Sequence, residues 1–332
     1  MTTTSLTHDP AGFYDRLGPL HYEPLWRMRG ALPLEPVTAM VPHLWRYDEV
    51  RPLIMEAGDL ITAEEAERRV LALKNPGTAT HEVARATDTL WAAIQLVLPG
   101  EVAPAHRHTP AALRFVIEGE GGYTTVNDER YDMRPGDLIL TPNWSWHSHG
   151  HTGGAPMLWL DGLDLPLSHA LHTVFAEFPP AEARRPAASP AGPARTHAFP
   201  FAEMRAALEA RRDEPGDPYD DILIEYLHPE TSGPVMPTIS AAIQLLRPGV
   251  RTAAHRHTHS VVYHVAAGSG WSTIGGQRFE WTRGDTFAVP CWVPHRHANP
   301  TNGDALLFSF SDAPVLDALG LSRESAVDEE IH

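Results

Sequence analysis

A chain of 332 residues, 42% hydrophobic and 20% charged, has the make-up of a globular protein large enough for two domains. Its 26 basic and 42 acidic residues give a net charge of −16, which argues against non-specific binding to nucleic acid, because that needs a basic face. No run approaches the roughly 18 consecutive apolar residues of a membrane span. The single Cys291 rules out an internal disulfide, and MTTTSLTHDPAGFYDRLG lacks the basic start and apolar core of a signal peptide, so a reducing, cytoplasmic setting is expected.

Residues 1–85 read as an N-terminal helical extension packed on the domain at 86–177. Thr62-Ala63-Glu64-Glu65 is a capping box, the helical spacing runs on to Leu73, and Asn75-Pro76-Gly77 stops it. Over 86–177 the pattern changes. The short apolar runs AAIQLVL, LRFVIEG, DLILTP and MLWLDGL are separated by turn signals at Gly119-Glu120-Gly121, Asn127-Asp128 and Pro135-Gly136-Asp137. Short strands at a spacing of about 8–12 residues indicate an antiparallel sandwich or barrel. The Pro- and Ala-rich stretch at 178–200 reads as a linker, and 201–332 forms a second domain.

The second domain copies the first. AAIQLVLPGEVAPAHRHT (92–109) and AAIQLLRPGVRTAAHRHT (241–258) are identical at 12 of 18 positions without a gap. Pro142-x-Trp144-x-x-His147 likewise matches Pro290-x-Trp292-x-x-His295. A repeat of this length is a duplicated domain.

Residues i and i+2 of a strand point to one face, so His106 and His108 project side by side, as do His255 and His257. A third histidine arrives in each copy, His147 at 39 residues after His108 and His295 at 38 after His257. Each lies beyond a Gly-Asp turn and a strand, so a later strand can set it opposite the pair. An HxH by itself is commonly a surface or core pair. Its duplication together with the distant histidine makes His106, His108 and His147 a metal-ligand set, and His255, His257 and His295 a possible second one.

The HxH, Gly-Asp and P-x-x-x-x-H pattern resembles the two cupin motifs, and the chain resembles a bicupin: all-β, two jelly-roll barrels. PHLWRYDEVRPLIMEAGDLITAEEAERRVLALKNPG (42–77), PGEVAPAHRHTPAALRFVIEGEG (99–121) and GDLILTPNWSWHSHG (136–150) with MLWLDGLDLPL (157–167) narrow the resemblance to the gentisate 1,2-dioxygenase family, which includes salicylate and 1-hydroxy-2-naphthoate dioxygenases. Cupins often add a Glu ligand after HxH. Here Thr109-Pro110-Ala111-Ala112-Leu113-Arg114 offers no carboxylate, in keeping with a family that uses three histidines.

The resemblance implies an Fe(II) enzyme that takes a small aromatic 2-hydroxy acid and O2 and breaks the ring between the carbons bearing the carboxylate and the hydroxyl. It further implies a homo-oligomer, commonly a tetramer. Three neutral ligands leave the iron its full charge for an anionic chelate and leave open coordination positions. Arg114, on the same strand side as the histidines, is the expected carboxylate clamp. His149 is the expected acid/base group, with Asp161 supporting Arg114 or a histidine. Trp91 and Gln95 match pocket positions of the family. Ser148 departs from the acidic residue common between the two histidines, which leaves the behaviour of His149 and the substrate preference open.

In the second copy Tyr263 stands for Arg114, Ser309 for Asp161 and Ser240 for Trp91, so catalysis is expected only in the first. The alternatives differ in class. Salicylate, a substituted salicylate or 1-hydroxy-2-naphthoate could replace gentisate. The chain could instead be a non-catalytic bicupin that binds a small anion, or a zinc or manganese isomerase or lyase.

Overall fold

The computed structural model describes residues 12–28, 30–79, 83–179 and 198–327, and its packing divides into two compact units, Met1–Val37 and Thr38–His332. The first unit holds helix α1 (Phe13–Leu17) and two 3-10 turns, Gly18–Leu20 and Leu25–Arg27. There Trp26 donates to the Tyr14 hydroxyl at 3.2 Å, and the Arg27 guanidinium lies 3.8 Å from the centre of the Tyr14 ring. Leu32, Leu34 and Val37 are exposed. Most of the linker read over 178–200 falls on 180–197, outside the described residues.

The second unit opens with β1 (His43–Trp45), α2 (Tyr47–Leu60), α3 (Ala63–Ala66) and β2 (Arg69–Ala72). The first barrel continues with β3 (Trp91–Val97), β4 (Val102–His108), β5 (Ala112–Glu118), β6 (Gly122–Val126), β7 (Glu129–Asp132), β8 (Leu138–Thr141), β9 (His147–His151), β10 (Met157–Leu163), α4 (Leu165–Ala170) and β11 (Ala176–Glu177). Then come β12 (Ala198–Phe199), α5 (Phe201–Ala210), β13 (Ile222–Tyr226), β14 (Ser240–Leu246), β15 (His255–His257), β16 (Val261–Ala267), β17 (Ser269–Ile274), β18 (Gln277–Thr282), β19 (Thr286–Val289), β20 (His295–Ala298), β21 (Ala305–Ser311), α6 (Ala313–Ala318) and β22 (Glu324–Ala326).

Each barrel is two facing sheets, with six strands in the order β12-β8-β5-β10-β3-β2 and five in the order β11-β4-β9-β6-β7 for the first. The second repeats this as β1-β19-β16-β21-β14-β13 and β18-β17-β20-β15-β22. Strand alternation divides the labour of the six-stranded sheets. One face of the first, with Ile94, Leu113, Phe115 and Leu160, packs on Ile243, Val262, Phe308 and Phe310 of the other barrel in one apolar cluster. At its centre Phe115 stacks on Phe308 with ring centroids 4.2 Å apart. The other face looks into the barrel, where Val116, Ile139 and Trp159 fill one end and a set of buried polar residues occupies the other.

The segments that lead into the barrels are exchanged. Strand β1 precedes the first barrel yet pairs with β19 of the second, while β12 precedes the second and pairs with β8 of the first. The Asp of each Gly-Asp turn obeys the same rule. Asp285 accepts from Tyr47 N at the start of α2, and Asp137 from Phe201 N at the start of α5, both at 2.9 Å. A carboxylate there satisfies an orphan N–H and complements the helix dipole. Thr89 donates to Asp312 (2.5 Å) and Thr238 to Asp164 (2.6 Å) by the same reciprocity.

Two local expectations need correction. The Thr62–Glu65 capping box forms, but its helix ends at Ala66 and Glu67 has φ +52°, so the run to Leu73 is not helical. Residues 69–72 instead pair with β3 as β2, because a neighbouring strand offers a whole row of backbone partners that outweighs a weak helical pattern. The extension is also more than helical, and through β1 it belongs partly to the second barrel.

Candidate metal centre and anion pocket

Strands β4 and β9 lie side by side with His106 opposite His147, and alternation puts His108 and His149 on the same inner face. The ring centroids of His106 and His147 are 4.1 Å apart and those of His108 and His147 4.9 Å. The three histidines offer nitrogen atoms that all lie within 4.8 Å of one another. Burial pushes His106 down to about 2 and His108 to about 4, and His147 well below its usual range, so all three are neutral imidazoles fit to be ligands.

The tautomers derive from the backbone. His108 Nδ1 lies 2.8 Å from Pro110 O and His147 Nδ1 3.0 Å from Ser145 O. A carbonyl only accepts, so each Nδ1 carries the hydrogen and each Nε2 a lone pair. His147 Nε2 is buried without a hydrogen-bond partner, which is what a metal ligand needs. His106 Nδ1 lies against Arg68 Nη2. A guanidinium only donates, so ligation through His106 Nε2 requires Arg68 to turn from His106, toward Pro104 O, to which it already donates at 3.0 Å, or toward an anion.

Opposite the trio, the inner face of the six-stranded sheet carries Arg114, whose register partner across β10 is Asp161. Arg114 Nε is 3.4 Å from Asp161 Oδ1, a charge contact without hydrogen-bond geometry, and Nη1 donates to Thr141 Oγ1 at 2.5 Å. Trp159 Nε1 donates to Asp161 Oδ1 at 3.0 Å. Burial raises the Asp161 carboxyl to about 6, against the pull of Arg114. Arg68, just before β2, is the residue that sequence reasoning missed. Burial and the charge of Arg114 lower it to about 10. Its signal was the alternation into Val70 and Ala72, hidden by reading the segment as helix. The pocket thus sets two guanidiniums against one carboxylate, a shortfall of negative charge that an anion can supply.

His149 is fully enclosed, and burial, then Arg114 and Arg68, push it well below its usual range. Thr124 donates its own hydrogen to Met133 Sδ (3.2 Å) and lies 2.9 Å from His149 Nδ1. The hydroxyl oxygen therefore accepts from Nδ1 and leaves Nε2, which has no protein partner, as a free base. Ser148 is buried but lies on the opposite face of β9 from His147 and His149, so it makes no direct approach to either ring from within the pocket. His151 ends the same strand. It is buried, with Nε2 2.6 Å from Ala155 O, and it holds the adjoining turn. Gln95 is buried on the Arg114 face with Nε2 unpartnered, and Trp91, on the same face, is half-buried at its edge. Phe178 stacks at 5.9 Å on His106.

Two jelly-roll barrels, each with an inward trio of histidines, define a bicupin metalloprotein, and the cupin-domain family model matches residues 93–163 and 242–311. The chain is 40% identical to gentisate 1,2 dioxygenase 1 of Aquipseudomonas alcaligenes over 97% of each chain. It is 39% identical to the 5-aminosalicylate 1,2-dioxygenase of a Comamonas species over 96% of this chain and 92% of the other. Its fold matches the salicylate 1,2-dioxygenase of Pseudoaminobacter salicylatoxidans, in a crystal structure of its gentisate adducts, with a TM-score of 0.89, 32% identity and 98% of each chain covered. The chain belongs to the gentisate 1,2-dioxygenase family: it is an iron-dependent aromatic ring-cleaving dioxygenase.

Proposed function

We propose that the first barrel cleaves gentisate between the carbons that bear the carboxylate and the adjacent hydroxyl, giving maleylpyruvate. The observation that carries this reading is the pair of guanidiniums, half-buried Arg68 and buried Arg114, facing a trio of neutral histidines with the buried Asp161 as their shared counter-charge. His106, His108 and His147 would hold Fe(II), which when bound supplies the redox partner that lets O2 react with the ring.

Arg114 takes the substrate carboxylate through paired hydrogen bonds, since its guanidinium is anchored by Thr141 and balanced by Asp161. Arg68 turns from His106 to the same anion, which frees His106 Nδ1 to carry the hydrogen that a ligating tautomer needs. His149, neutral and with a bare Nε2, accepts the phenolic proton and returns it. Gln95 and Trp91 line the approach to the ring. Residues 86–177 and 201–332 are the two cupin domains, a reading supported by the family matches falling inside those limits. The exposed Leu32, Leu34 and Val37 support assembly into a homo-oligomer, taken as a tetramer. The single half-buried Cys291 supports a cytoplasmic location.

The test is oxygen uptake by protein loaded anaerobically with Fe(II), then given gentisate or, in parallel, salicylate and 5-aminosalicylate. One O2 consumed per gentisate, with maleylpyruvate as product, is expected. Iron-loaded protein inert to gentisate but active on salicylate or 5-aminosalicylate would reassign the substrate. Inertness to all three would sink the proposal.

A further inference from the structure

We propose that the second barrel holds its own divalent transition-metal ion on His255, His257 and His295, in a cavity that admits water or neutral and cationic ligands and excludes the aromatic anion. The trio is as tight as the first, with nitrogen atoms within 4.8 Å of one another and all three rings buried. Every Nδ1 faces an acceptor: Glu324 Oε1 at 3.0 Å for His255, His259 O at 2.8 Å for His257 and Val293 O at 3.1 Å for His295. All three therefore carry their hydrogen on Nδ1 and aim Nε2 lone pairs inward. His255 Nε2 and His295 Nε2 stand 2.9 Å apart. Two lone pairs at that distance repel. Removing the repulsion without a cation means forming a buried imidazolium or flipping a ring away from its acceptor, and both are costly. A metal ion between the rings removes it directly.

The carboxylate behind His255 is the outer partner that commonly orients a metal-binding imidazole and strengthens it as a ligand. In this respect the second trio is better set for a metal than the first, where the same position, His106 Nδ1, faces the donor Arg68. Tyr219 stacks on His255 with centroids 4.6 Å apart and holds the ring in place.

The charge of the chamber is inverted. A cavity of about 210 Å³ opens beside the trio and is lined by Asp220, Glu225, Glu324, Ser240, Ser309 and Tyr263, among others. Strand register makes the inversion specific. By its pairing with β14, Asp221 stands just before β13 where Arg68 stands just before β2; Asp221 is tied to Arg247, and its neighbour Asp220 lines the chamber. Tyr263 faces Ser309 where Arg114 faces Asp161. An aromatic carboxylate entering here would meet carboxylates and no guanidinium, so the ion keeps water or takes an uncharged or cationic donor.

The experiment counts metal per chain by elemental analysis after loading with Fe(II), and separately with Co(II), whose visible d–d bands report the ligand set. Wild type should hold two equivalents. His257→Ala should hold one and keep gentisate cleavage within a few-fold. His106→Ala should hold one and lose cleavage. Glu324→Gln leaves the fold intact and should weaken the second equivalent by roughly 10–100-fold. Gentisate should perturb the Co(II) bands of His257→Ala and leave those of His106→Ala unchanged. One equivalent in wild type that His106→Ala abolishes, or two equivalents that survive His257→Ala, would overturn the proposal. The metal count is independent of both turnover and substrate, so an error over substrate leaves it unaffected.

Discussion

In the first barrel Arg114 stands across from Asp161. At the same register in the second, Tyr263 stands across from Ser309. Both barrels keep HxH on the strand after β3 or β14, and both keep the distant histidine opposite it. Even the two further histidines match, with His149 held by Thr124 and His297 by Ser272. What separates the copies is charge. One chamber presents two guanidiniums, Arg114 buried and Arg68 half-buried, to whatever enters, and the other presents carboxylates. A three-histidine trio is thus a scaffold that both copies retain, while the ability to take an aromatic acid rests on a few charged positions around it.

The largest effect should come from breaking the first trio. His147→Ala should lose the activity-linked iron and lower ring cleavage by roughly 10³-fold or more, because two imidazoles do not hold the ion as three do. Metal analysis alongside oxygen uptake checks this, and full activity in that variant would move the reaction to the second barrel. Phe308→Ala tests whether the two barrels stand or fall together. It empties a fully buried, stacked position in the core they share and should cost about 3–5 kcal/mol of stability, read by denaturant unfolding as one transition. Two separated transitions would show that each barrel folds without the other.

Arg114→Ala should leave iron content normal and lower kcat/KM by roughly 10²-fold, the size expected from losing charge-assisted hydrogen bonds to a carboxylate. Loss of iron instead would make Arg114 structural. The smallest effect concerns Asp161. Its carboxyl is raised to about 6, so it is charged above that pH and neutral below it. Activity should fall as pH drops through about 6, where Arg114 loses its counter-charge, and Asp161→Asn should lower activity by roughly 10-fold and flatten that limb. The stability term has the opposite sign. A raised carboxyl favours the folded state below about pH 4 and loses that advantage as pH climbs to about 6, so Asp161→Asn should gain stability relative to wild type only at the higher pH. A pH series of unfolding midpoints distinguishes the two.

Much of the site was legible before folding was considered. His106 and His108 share a strand face by the period of two, and the second copy of the motif turns a weak pattern into a strong one. Arg114 was legible because an arginine inside Ala-Ala-Leu and Phe-Val-Ile has no reason to be there unless it is paired. Arg68 was not. It sits past a genuine capping box, and a local pattern cannot foresee that the edge of β3 would recruit the next four residues as a strand. Asp137 and Asp285 read only as turn residues, yet each accepts from the first residue of a helix that leads into the other barrel.

The sequence by itself determined the duplication, the alternation that makes each copy a barrel, both histidine trios, and the charge difference at Arg114 and Tyr263. These are all carried by spacing along one strand or by identity between two segments. Only the tertiary structure decided which barrel receives β1 and β12, where Arg68 comes to rest, and which carboxylates line the second chamber. Those outcomes depend on unpaired sheet edges and buried charges meeting across gaps of tens to hundreds of residues. Strands of two or three residues carry no periodicity to announce them, so the choice falls to backbone pairing and burial once the sheets have formed.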